Sequence, residues 1–287
     1  MAEPITQYGI IGNPLKHSLS PVMQNAAFKA LGVRAQYKLF PLEDNELDDF
    51  FKDLRQKDSP IFGLNVTVPY KEKVLQYCDS IAPLAGKIGA VNTIAINKQR
   101  KLVGYNTDAP GFMAHLAELG VATKDKRIAL LGAGGTARAI LTSLCLIPEQ
   151  PRSIAVYNRS ADRLDDLLAE MTKKFDVGII KAVGSIDDLD IRECDILINT
   201  TSVGLNEDDP SLIDESLLHP DLFVYDLIYN PRQTLLLKMA KEAGAKTVNG
   251  LGMLFFQGVL SFQHWADMEI EDEVKHIMRK SLEAGLK

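Results

Sequence analysis

The segment RIALLGAGGTARAI, residues 127–140, constrains the fold of this chain more than any other stretch. An apolar strand ends at Gly132, and residues 132–137 fit the pattern G-x-G-x-x-A at the start of a helix. Gly132 allows the tight turn, Gly134 lets the backbone approach a pyrophosphate, and the small Ala137 allows close packing of helix on strand. Glycine-rich turns also occur without a ligand, but this strand–turn–helix context predicts a dinucleotide site whose phosphates lie at the helix N-terminus.

The next strand indicates which dinucleotide binds. In SIAVYNRSADR, residues 153–163, the predicted strand is followed by Asn158, Arg159 and Ser160. NAD-binding versions carry an acid for the ribose 2′-OH near this position. No carboxylate stands at this strand tip, and Arg159 and Arg163 can pair with a 2′-phosphate through charge-assisted contacts. Both arginines could instead be solvated at a helix start, although cations are unfavourable there. The sequence therefore predicts NADP(H) as the cofactor.

Strand-like and helical segments alternate over most of the 287 residues, which is typical of an α/β protein with parallel sheets. One such set precedes the helix near residues 109–123, a more regular set follows it, and no strand signal follows residue 249. We therefore predict two α/β domains flanking a cleft, the second with a Rossmann-type parallel sheet. The first, a substrate-binding domain, spans 1–108 and is completed by C-terminal helices at 250–287. The second, the NADP-binding domain, spans 109–249.

The first predicted domain contains the segment LNVTVPYKEKV, residues 64–74. Period-two alternation places Asn65 and Thr67 on one face of a strand and Val66 and Val68 on the other, toward the core. The polar pair then lies at the carboxyl end of the strand, where open α/β sheets bind their ligands.

Lys71 follows this strand at a position that helices do not favour for a base. Pro69 suits the first turn of a helix that starts near Tyr70, which would place Lys71 in that turn. The positive end of a helix disfavours a charged lysine and would make Lys71 a readier proton donor or acceptor. A solvated lysine is the alternative, and it fits Lys73 better than Lys71.

Further polar residues stand at two other predicted helix starts and at the end of the segment GAVNT. In HSLSPVM, Ser20 is expected to cap the helix, and Ser18 adds a second hydroxyl for a carboxylate or diol. His17 is interpreted as a hydrogen-bond donor that braces the loop rather than as a catalytic base. Asn92 ends the segment GAVNT. Asp108, in YNTDAPG, either caps the following helix or pairs with Lys71.

Composition excludes several classes of function. The net charge of −6 offers no overall positive field for nucleic acid. The three cysteines are scattered without paired spacing, which indicates reduced thiols in a cytoplasmic protein. The sequence shows no signal peptide and no apolar run near the roughly 20 residues that a bilayer requires. It shows no cysteine–histidine cluster that would indicate a metal. We expect neither nucleic acid nor a membrane as a partner, and the sequence is compatible with a monomer or a homodimer.

Nine segments, in order over essentially the whole chain, resemble those of the shikimate dehydrogenase family: GNPLKHSLSP, GLNVTVPYKEKV, GAVNT, GYNTDAPG, LGAGGTARA, YNRSADR, NTTSVG, YDLIYNP and NGLGMLFFQ. The resemblance implies an NADP-dependent oxidoreductase acting on a CH–OH group. Its reaction would be the reversible reduction of 3-dehydroshikimate to shikimate, on the pathway to chorismate and the aromatic amino acids.

The same resemblance implies roles for individual residues, among which Lys71 and Asp108 match the catalytic pair of the family. The substrate carboxylate would be bound by Ser18 and Ser20 with Tyr229 nearby, and the ring hydroxyls by Asn65, Thr67, Asn92 and Gln257. The NADP loops would comprise Gly132, Ala133, Gly134, Gly135, Thr136, Asn158, Arg159, Ser160 and Arg163. Leu227 and Gly250 would line the nicotinamide pocket. Gln257 also fits on physical grounds, because a glutamine facing inward in the apolar stretch GMLFFQGVL needs a partner.

Three residues depart from the usual family pattern without touching the implied chemistry, namely Ser160, Leu227 and Asn249. Two alternative functions remain open. An NAD-using quinate/shikimate dehydrogenase paralogue would be expected to carry an acid near Asn158, which this chain lacks. A non-catalytic NADP-binding sensor would have no need to keep Lys71 together with Asp108.

Overall fold

The computed structural model describes residues 5–206 and 208–286, which form two compact units. The first unit contains the described residues up to Gly111 and those from Leu254 onward, and the second runs from Phe112 to Met253. The chain therefore leaves the first unit within the helix Asp108–Glu118 and returns within the helix Leu251–Ala266. No helix in the described ranges is long and apolar enough to cross a membrane.

The sheet of the first unit has six strands in the order β2-β1-β3-β5-β6-β4. Their bounds are Thr6–Gly12 (β1), Ala35–Pro41 (β2), Ile61–Val66 (β3), Ser80–Ile81 (β4), Thr93–Ile96 (β5) and Leu102–Tyr105 (β6). β1 runs parallel to β2 and β3, whereas β5 runs antiparallel to both β3 and β6. The sheet is thus mixed rather than parallel, because the short turn after β5 returns the chain beside itself in a hairpin.

The sheet of the second unit has six strands, all paired in parallel, in the order β12-β11-β10-β7-β8-β9. Their bounds are Arg127–Leu131 (β7), Ser153–Tyr157 (β8), Ile180–Ala182 (β9), Ile196–Asn199 (β10), Phe223–Asp226 (β11) and Lys246–Asn249 (β12). Numbered from β7, this is the 3-2-1-4-5-6 order of the Rossmann fold, which confirms the predicted class of the second sheet.

Nine α-helices are present in the described part of the chain. They are Ser20–Ala30 (α1), Leu47–Leu54 (α2), Pro83–Ile88 (α3), Asp108–Glu118 (α4), Gly135–Leu146 (α5), Ala161–Thr172 (α6), Leu235–Glu242 (α7), Leu251–Ala266 (α8) and Asp272–Gly285 (α9). The sequence interpretation did not identify α3 and α7, nor the short strands β4 and β9. Each of these elements has eight residues or fewer, which leaves little room for a periodic pattern.

Both faces of the second sheet are buried. Along β7, Ile128 and Leu130 pack into one apolar cluster, whereas Ala129 and Leu131 pack into another. The first cluster includes residues of α5 and α6, and the second includes residues of α7. A parallel sheet covered on two faces reads as a continuous apolar run, as RIALL does.

In the first unit, α8 packs directly on the sheet. A Cβ built on Gly63 of β3 would overlap the ring of Trp265, whose Nε1 donates a hydrogen bond to Ile94 O of β5 at 3.1 Å. α9 lies against α1. The C-terminal helices therefore form part of the first unit, and α8 brings its polar side chains to the sheet.

Candidate functional site

The polar residues singled out in the first half of the chain lie at one edge of the first sheet. β1 and β3 are parallel, so their carboxyl ends meet, and Thr67 N–H donates to Ile11 O at 2.9 Å. β5 runs the other way and begins at this edge, where Val66 N–H donates to Asn92 O at 2.8 Å. β6 ends there as well, since Asn92 N–H donates to Tyr105 O at 3.1 Å. The segments around residues 67, 92 and 106 therefore converge.

Lys71 and Asp108 form a buried ion pair at this edge. Lys71 Nζ lies 2.6 Å from Asp108 Oδ2, and the two side chains are 11% and 7% exposed. Asp108 Oδ1 accepts a hydrogen bond from Asn92 Nδ2 at 2.8 Å. The backbone of Lys71 is fixed too, because its carbonyl accepts from Val91 N–H at 2.7 Å. The predicted partnership of Lys71 with Asp108 is present.

The predicted reason for the special position of Lys71 is wrong. A 3₁₀ helix begins at Lys73 and extends to Tyr77, so Lys71 precedes it and does not lie in a first helical turn. The positive end of a helix therefore does not act on Lys71, whose environment is set by burial and by Asp108. Lys73 is not merely solvated, because it forms an exposed ion pair with Asp44.

The predicted core position of Val68 is also wrong. β3 ends at Val66, which is buried, whereas Val68 is 63% exposed. Pro69 has no N–H to continue the ladder, so the strand alternation stops before it reaches Val68.

Asn65 is buried in a cluster of hydrogen bonds. Its Oδ1 accepts from Tyr37 Oη at 2.8 Å, and its Nδ2 donates to Ser261 Oγ at 2.9 Å. The same Nδ2 lies 3.2 Å from both Asn92 O and Thr93 Oγ1. Asn65 is thus held by side chains and backbone from separate segments of the first unit.

Asn92 and Gln257 face the same cluster. Asn92 Oδ1 accepts from Thr107 N–H at 2.7 Å, which assigns the orientation of the amide. Asn92 Nδ2 then points to Asp108, with Gln257 Oε1 at 3.5 Å. Gln257 is 8% exposed and donates through Nε2 to Leu254 O at 2.9 Å. The prediction that Gln257 faces inward with a partner is confirmed.

Sequence reasoning missed four members of this cluster, namely Tyr37, Thr93, Thr107 and Ser261. The last three bring their hydroxyls within 2.8–3.2 Å of one another. One signal was available for Ser261, since it stands four residues after Gln257 and therefore on the same face of α8. Tyr37 lies 28 residues before Asn65, and nothing local marks it.

The two serines at the start of α1 differ from the prediction. Ser20 is the first residue of the helix, is 3% exposed, and is not the N-cap, which is Leu19. Ser18 Oγ instead accepts from Ser20 N–H at 3.4 Å, so Ser18 takes the role expected of Ser20. His17 is exposed and donates no hydrogen bond within the described residues, so the prediction that it braces the loop is wrong.

Asp108 does not cap α4. Asn106 Oδ1 accepts from the backbone N–H groups of Asp108 and Ala109 at 3.1 and 3.2 Å. Asn106 therefore satisfies the first donors of the helix, and the carboxylate of Asp108 is left to Lys71 and Asn92.

The glycine loop of the second unit has the geometry that phosphate binding requires. Gly132 has φ +111°, and a Cβ there would overlap Thr200 Oγ1, so only glycine fits. Gly134 is the N-cap of α5, and a Cβ built on it would meet no atom closer than Arg163 Nη2 at 3.9 Å. A side chain at Gly134 would thus meet only the end of a flexible arginine, and the N–H groups of the first turn of the twelve-residue α5 follow directly. These residues fit a pyrophosphate.

The segment after β8 lies beside this loop. Arg163 stands in the first turn of α6 with its guanidinium near Gly134, and Arg159 is exposed at the strand tip. Asn158 Nδ2 donates to Ser160 O at 2.8 Å, which closes the turn before α6. The guanidinium of Arg163 therefore lies beside the glycine loop, and Arg159 follows the carboxyl end of β8 in the chain.

Leu227 and Gly250 are in contact. A Cβ on Gly250 would overlap Leu227 O, and Gly250 N–H donates to Ile228 O at 3.2 Å. Tyr229 is half-buried in the second unit, and its predicted place beside a substrate carboxylate stays a prediction.

A buried carboxylate that the sequence interpretation overlooked fixes this segment. Asp226, at the end of β11, accepts hydrogen bonds from Asn199 Nδ2, Ile228 N–H and Thr234 Oγ1 at 3.0, 3.1 and 2.6 Å. Burial raises the pKa of Asp226, and these hydrogen bonds oppose that rise. The sequence did contain a signal for Asp226, namely an acid at the end of the apolar strand FVYD. A carboxylate in a buried strand needs hydrogen-bond partners, so Asp226 could have been predicted to fix the following segment.

Two family models match the chain. The model described as shikimate dehydrogenase substrate binding domain matches residues 10–94, and the model described as shikimate / quinate 5-dehydrogenase matches residues 115–232. The shikimate dehydrogenase (NADP(+)) of Methanopyrus kandleri is 41% identical over 273 residues, which cover 93% of this chain and 92% of that protein.

Solved structures are similar over the whole chain. The shikimate dehydrogenase of Aquifex aeolicus superposes with a TM-score of 0.86 at 36% identity, covering 98% of this chain and 99% of that one. The shikimate 5-dehydrogenase of Thermus thermophilus, in complex with NADP(H) and shikimate, gives a TM-score of 0.83 at 32% identity, covering 98% and 100%.

Proposed function

This chain belongs to the shikimate dehydrogenase family, and we propose that it catalyses the reversible NADPH-dependent reduction of 3-dehydroshikimate to shikimate. The observation that carries the proposal is the buried pair of Lys71 and Asp108, set among amide and hydroxyl groups at the carboxyl edge of the first sheet. A proton-transfer group surrounded by hydroxyl-binding side chains suits a polyhydroxylated ring. Such a site serves the steps to chorismate and the aromatic amino acids.

We propose that the residues predicted from the sequence bind this ring. Ser18 and Ser20, at the N-terminus of α1, would take the carboxylate, with Tyr229 nearby. The ring hydroxyls would meet a second group of side chains, made up of Asn65, Thr67, Asn92 and Gln257. The buried amides in this group are rigidly held, so orienting them costs little at the moment of binding.

The glycine loop would hold NADP(H) through Gly132, Ala133, Gly134, Gly135 and Thr136, and the 2′-phosphate through Asn158, Arg159, Ser160 and Arg163. Two observations support this assignment: no atom comes closer than 3.9 Å to the Cβ position at Gly134, and the atom at that distance belongs to the guanidinium of Arg163. Leu227 and Gly250 would line the nicotinamide pocket. When bound, NADPH supplies the hydride for the reaction.

Lys71 would act as the general acid in reduction and as the general base in oxidation. In reduction the C3 carbonyl oxygen of the substrate gains negative charge, and Lys71 Nζ stabilises that charge and donates a proton to the oxygen. In oxidation the neutral lysine takes the proton back. Asp108 orients the ammonium group, and Asn92 holds Asp108 through its other oxygen. Burial keeps water from competing with these contacts.

A coupled assay tests the proposal. The purified chain is supplied with shikimate and NADP, then with NAD in place of NADP, and finally with quinate in place of shikimate. We expect rapid formation of NADPH with shikimate and much slower turnover in the other two mixtures. Equal or better turnover with NAD and quinate would favour the NAD-using paralogue. Binding of NADP without any turnover would favour the sensor.

We also infer that the chain works in the cytoplasm, as a monomer or a homodimer. All three cysteines, Cys78, Cys145 and Cys194, are free thiols, and burial raises the pKa of each to about 11. Thiols kept reduced are typical of the cytoplasm. Cell fractionation and light scattering of the purified protein would test the two parts of this inference.

A further inference from the structure

Ser261 occupies the centre of the polar cluster in the first unit, and it is fully buried. Its hydroxyl lies 2.8 Å from Gln257 O, one helical turn earlier on α8. A carbonyl oxygen can only accept, so the single hydrogen of Ser261 is donated there. Toward its other neighbours Ser261 Oγ is therefore an acceptor.

The neighbour that this arrangement affects most is Asn65. Its Nδ2 donates to Ser261 Oγ at 2.9 Å, the shortest of its three donor contacts. The second N–H of the amide is directed to Asn92 O, which can only accept, or to Thr93 Oγ1. Both N–H groups of Asn65 are thus committed within the protein.

The oxygen of the same amide is only partly committed. Among the described residues, Tyr37 Oη donates to Asn65 Oδ1 at 2.8 Å, and a carbonyl-type oxygen has two lone pairs. Asn65 Oδ1 therefore retains one acceptor position. Asn65 can accept a hydrogen bond from a ligand but has no N–H left to donate.

We infer that Ser261 is a positioning residue that orients the amide of Asn65, so that Asn65 accepts a hydrogen bond from the substrate and does not donate one. Ser261 holds the amide so that Asn65 accepts from a ring hydroxyl and selects a group that can donate. Without the hydroxyl of Ser261, one N–H of Asn65 loses its shortest partner, so the amide is held less firmly. This inference rests on the proposed function, because it names how one substrate-binding residue discriminates.

The test compares Ser261→Ala with the wild type by steady-state kinetics. We expect KM for shikimate to rise about three- to tenfold, the usual effect of one lost neutral hydrogen bond. kcat and KM for NADP should change by less than about twofold, because neither Lys71 nor the second unit is altered. Ser261→Ala removes a single oxygen atom and adds no bulk, so the variant should fold.

A second measurement distinguishes an effect on the orientation of the Asn65 amide from a mere loss of packing around Ser261. Shikimate analogues in which fluorine replaces the C4 or the C5 hydroxyl keep a similar size but cannot donate. We expect the wild type to discriminate strongly against one of the two analogues, by the ratio of kcat/KM for shikimate to that for the analogue. In Ser261→Ala that ratio should fall for the same analogue. An equal loss for shikimate and both analogues would mean that Ser261 only supports packing, and it would overturn the inference.

Ser143→Ala is the matched control. Ser143 is also a buried helical serine, and its hydroxyl donates to Ile140 O at 2.7 Å, one turn earlier on α5. The same atom is removed in a similar setting, but Asn65 is not involved. Ser143→Ala should leave KM for shikimate and the analogue ratios unchanged. Turnover of shikimate by the wild type tests the proposed function separately. If the wild type is active but the ratio of kcat/KM for shikimate to that for each analogue is the same in Ser261→Ala, only the inference about Ser261 is overturned.

Discussion

Lys71 Nζ lies 2.6 Å from Asp108 Oδ2, and both side chains are nearly excluded from solvent. Removing either member would leave the other as a buried charge without its partner, which is costly. In the proposed mechanism activity depends on the same pair, so experiments on it need to measure stability and activity separately.

Substituting Lys71 by alanine should lower kcat by about 10² to 10⁴, the usual contribution of one positioned acid–base group. KM for shikimate should move far less, because Asn65, Asn92 and Gln257 still hold the ring. Kinetics measured well below the melting temperature of the variant keep loss of folding out of the result. Lys73→Ala is the control, since it removes an exposed ion pair with Asp44, worth about 0–1 kcal/mol, and a contact of Lys73 Nζ with the Tyr70 ring at 5.8 Å, both away from the proposed chemistry. Similar losses of kcat in the two variants would contradict the role of Lys71.

Two glycines of the same loop should respond differently to alanine. Gly132→Ala places a side chain at φ +111° and against Thr200 Oγ1, so we expect a loss of about 1–3 kcal/mol in unfolding free energy. Gly134→Ala would make only an ordinary van der Waals contact, with Arg163 Nη2 at 3.9 Å, and should fold with nearly normal stability. Its methyl group would stand where the phosphates approach, so NADP affinity should fall by about tenfold. Urea unfolding and NADP titration measure the two effects, and full NADP affinity in Gly134→Ala would argue against phosphate binding at this loop.

Arg159 should decide between NADP and NAD. We expect the wild type to use NADP at least about tenfold better than NAD in kcat/KM, because charge-assisted contacts to a 2′-phosphate are worth about 1.5–3 kcal/mol each. Arg159→Asp should raise KM for NADP and leave the use of NAD little changed. Arg152→Asp makes the same change of charge on an exposed arginine at the opposite end of β8. An equal effect of both variants would point to overall charge rather than to a specific contact.

Stability in acid should depend on Asp79. Its carboxylate accepts from Leu102 N–H at 2.9 Å and pairs with Arg55 and Lys101 at 2.7 and 3.0 Å, and these contacts hold the pKa of Asp79 well below its ordinary value of 3.8. A carboxyl group with a depressed pKa stabilises the fold above its unfolded-state pKa, and that contribution is lost as the pH falls below it.

Asp79→Asn should therefore be less stable than the wild type at pH 7. The difference should shrink as the pH falls below about 4, where the unfolded carboxyl group takes up a proton. Denaturant unfolding at a series of pH values measures this, with Asp49→Asn as a control on an exposed aspartate. A difference that stays constant from neutral pH to about pH 3 would mean that the charge of Asp79 is not the cause.

Residues that carry a strong local signal could be predicted. Gly132 was marked by a strand–turn–helix pattern, and its positive φ follows from the same turn. Gln257 was marked as a polar residue in an apolar helix. In both cases a single property of the local sequence, the tight turn or the burial of an amide, decides the outcome.

Other features depend on partners that sequence does not reveal. Ser261 is an ordinary helical residue until α8 packs on the sheet and brings it to Asn65, 196 positions earlier in the chain. Lys71 was identified for a reason that proved wrong, because the helix was expected to begin before Lys71, whereas the 3₁₀ helix begins at Lys73. Where a helix begins depends on backbone geometry around Pro69, and a proline pattern alone does not fix it.

The antiparallel hairpin of β5 and β6 keeps its turn, where the chain could be lengthened, away from the polar edge that contains Lys71 and Asp108. β5 leaves the polar edge and β6 returns to it, so the turn between them lies about 13 Å away, at the amino end of β3. Arg100 anchors that turn by donating to Ile61 O at 2.9 Å, whereas Lys98 and Gln99 are exposed. Residues inserted between Lys98 and Gln99 should therefore leave kcat/KM for shikimate within about twofold of the wild type, since longer surface loops add little closure entropy. This turn is a natural point at which to attach a fluorophore or a tether without disturbing the reaction, and a large loss of activity on insertion would show that the hairpin transmits strain to the polar edge.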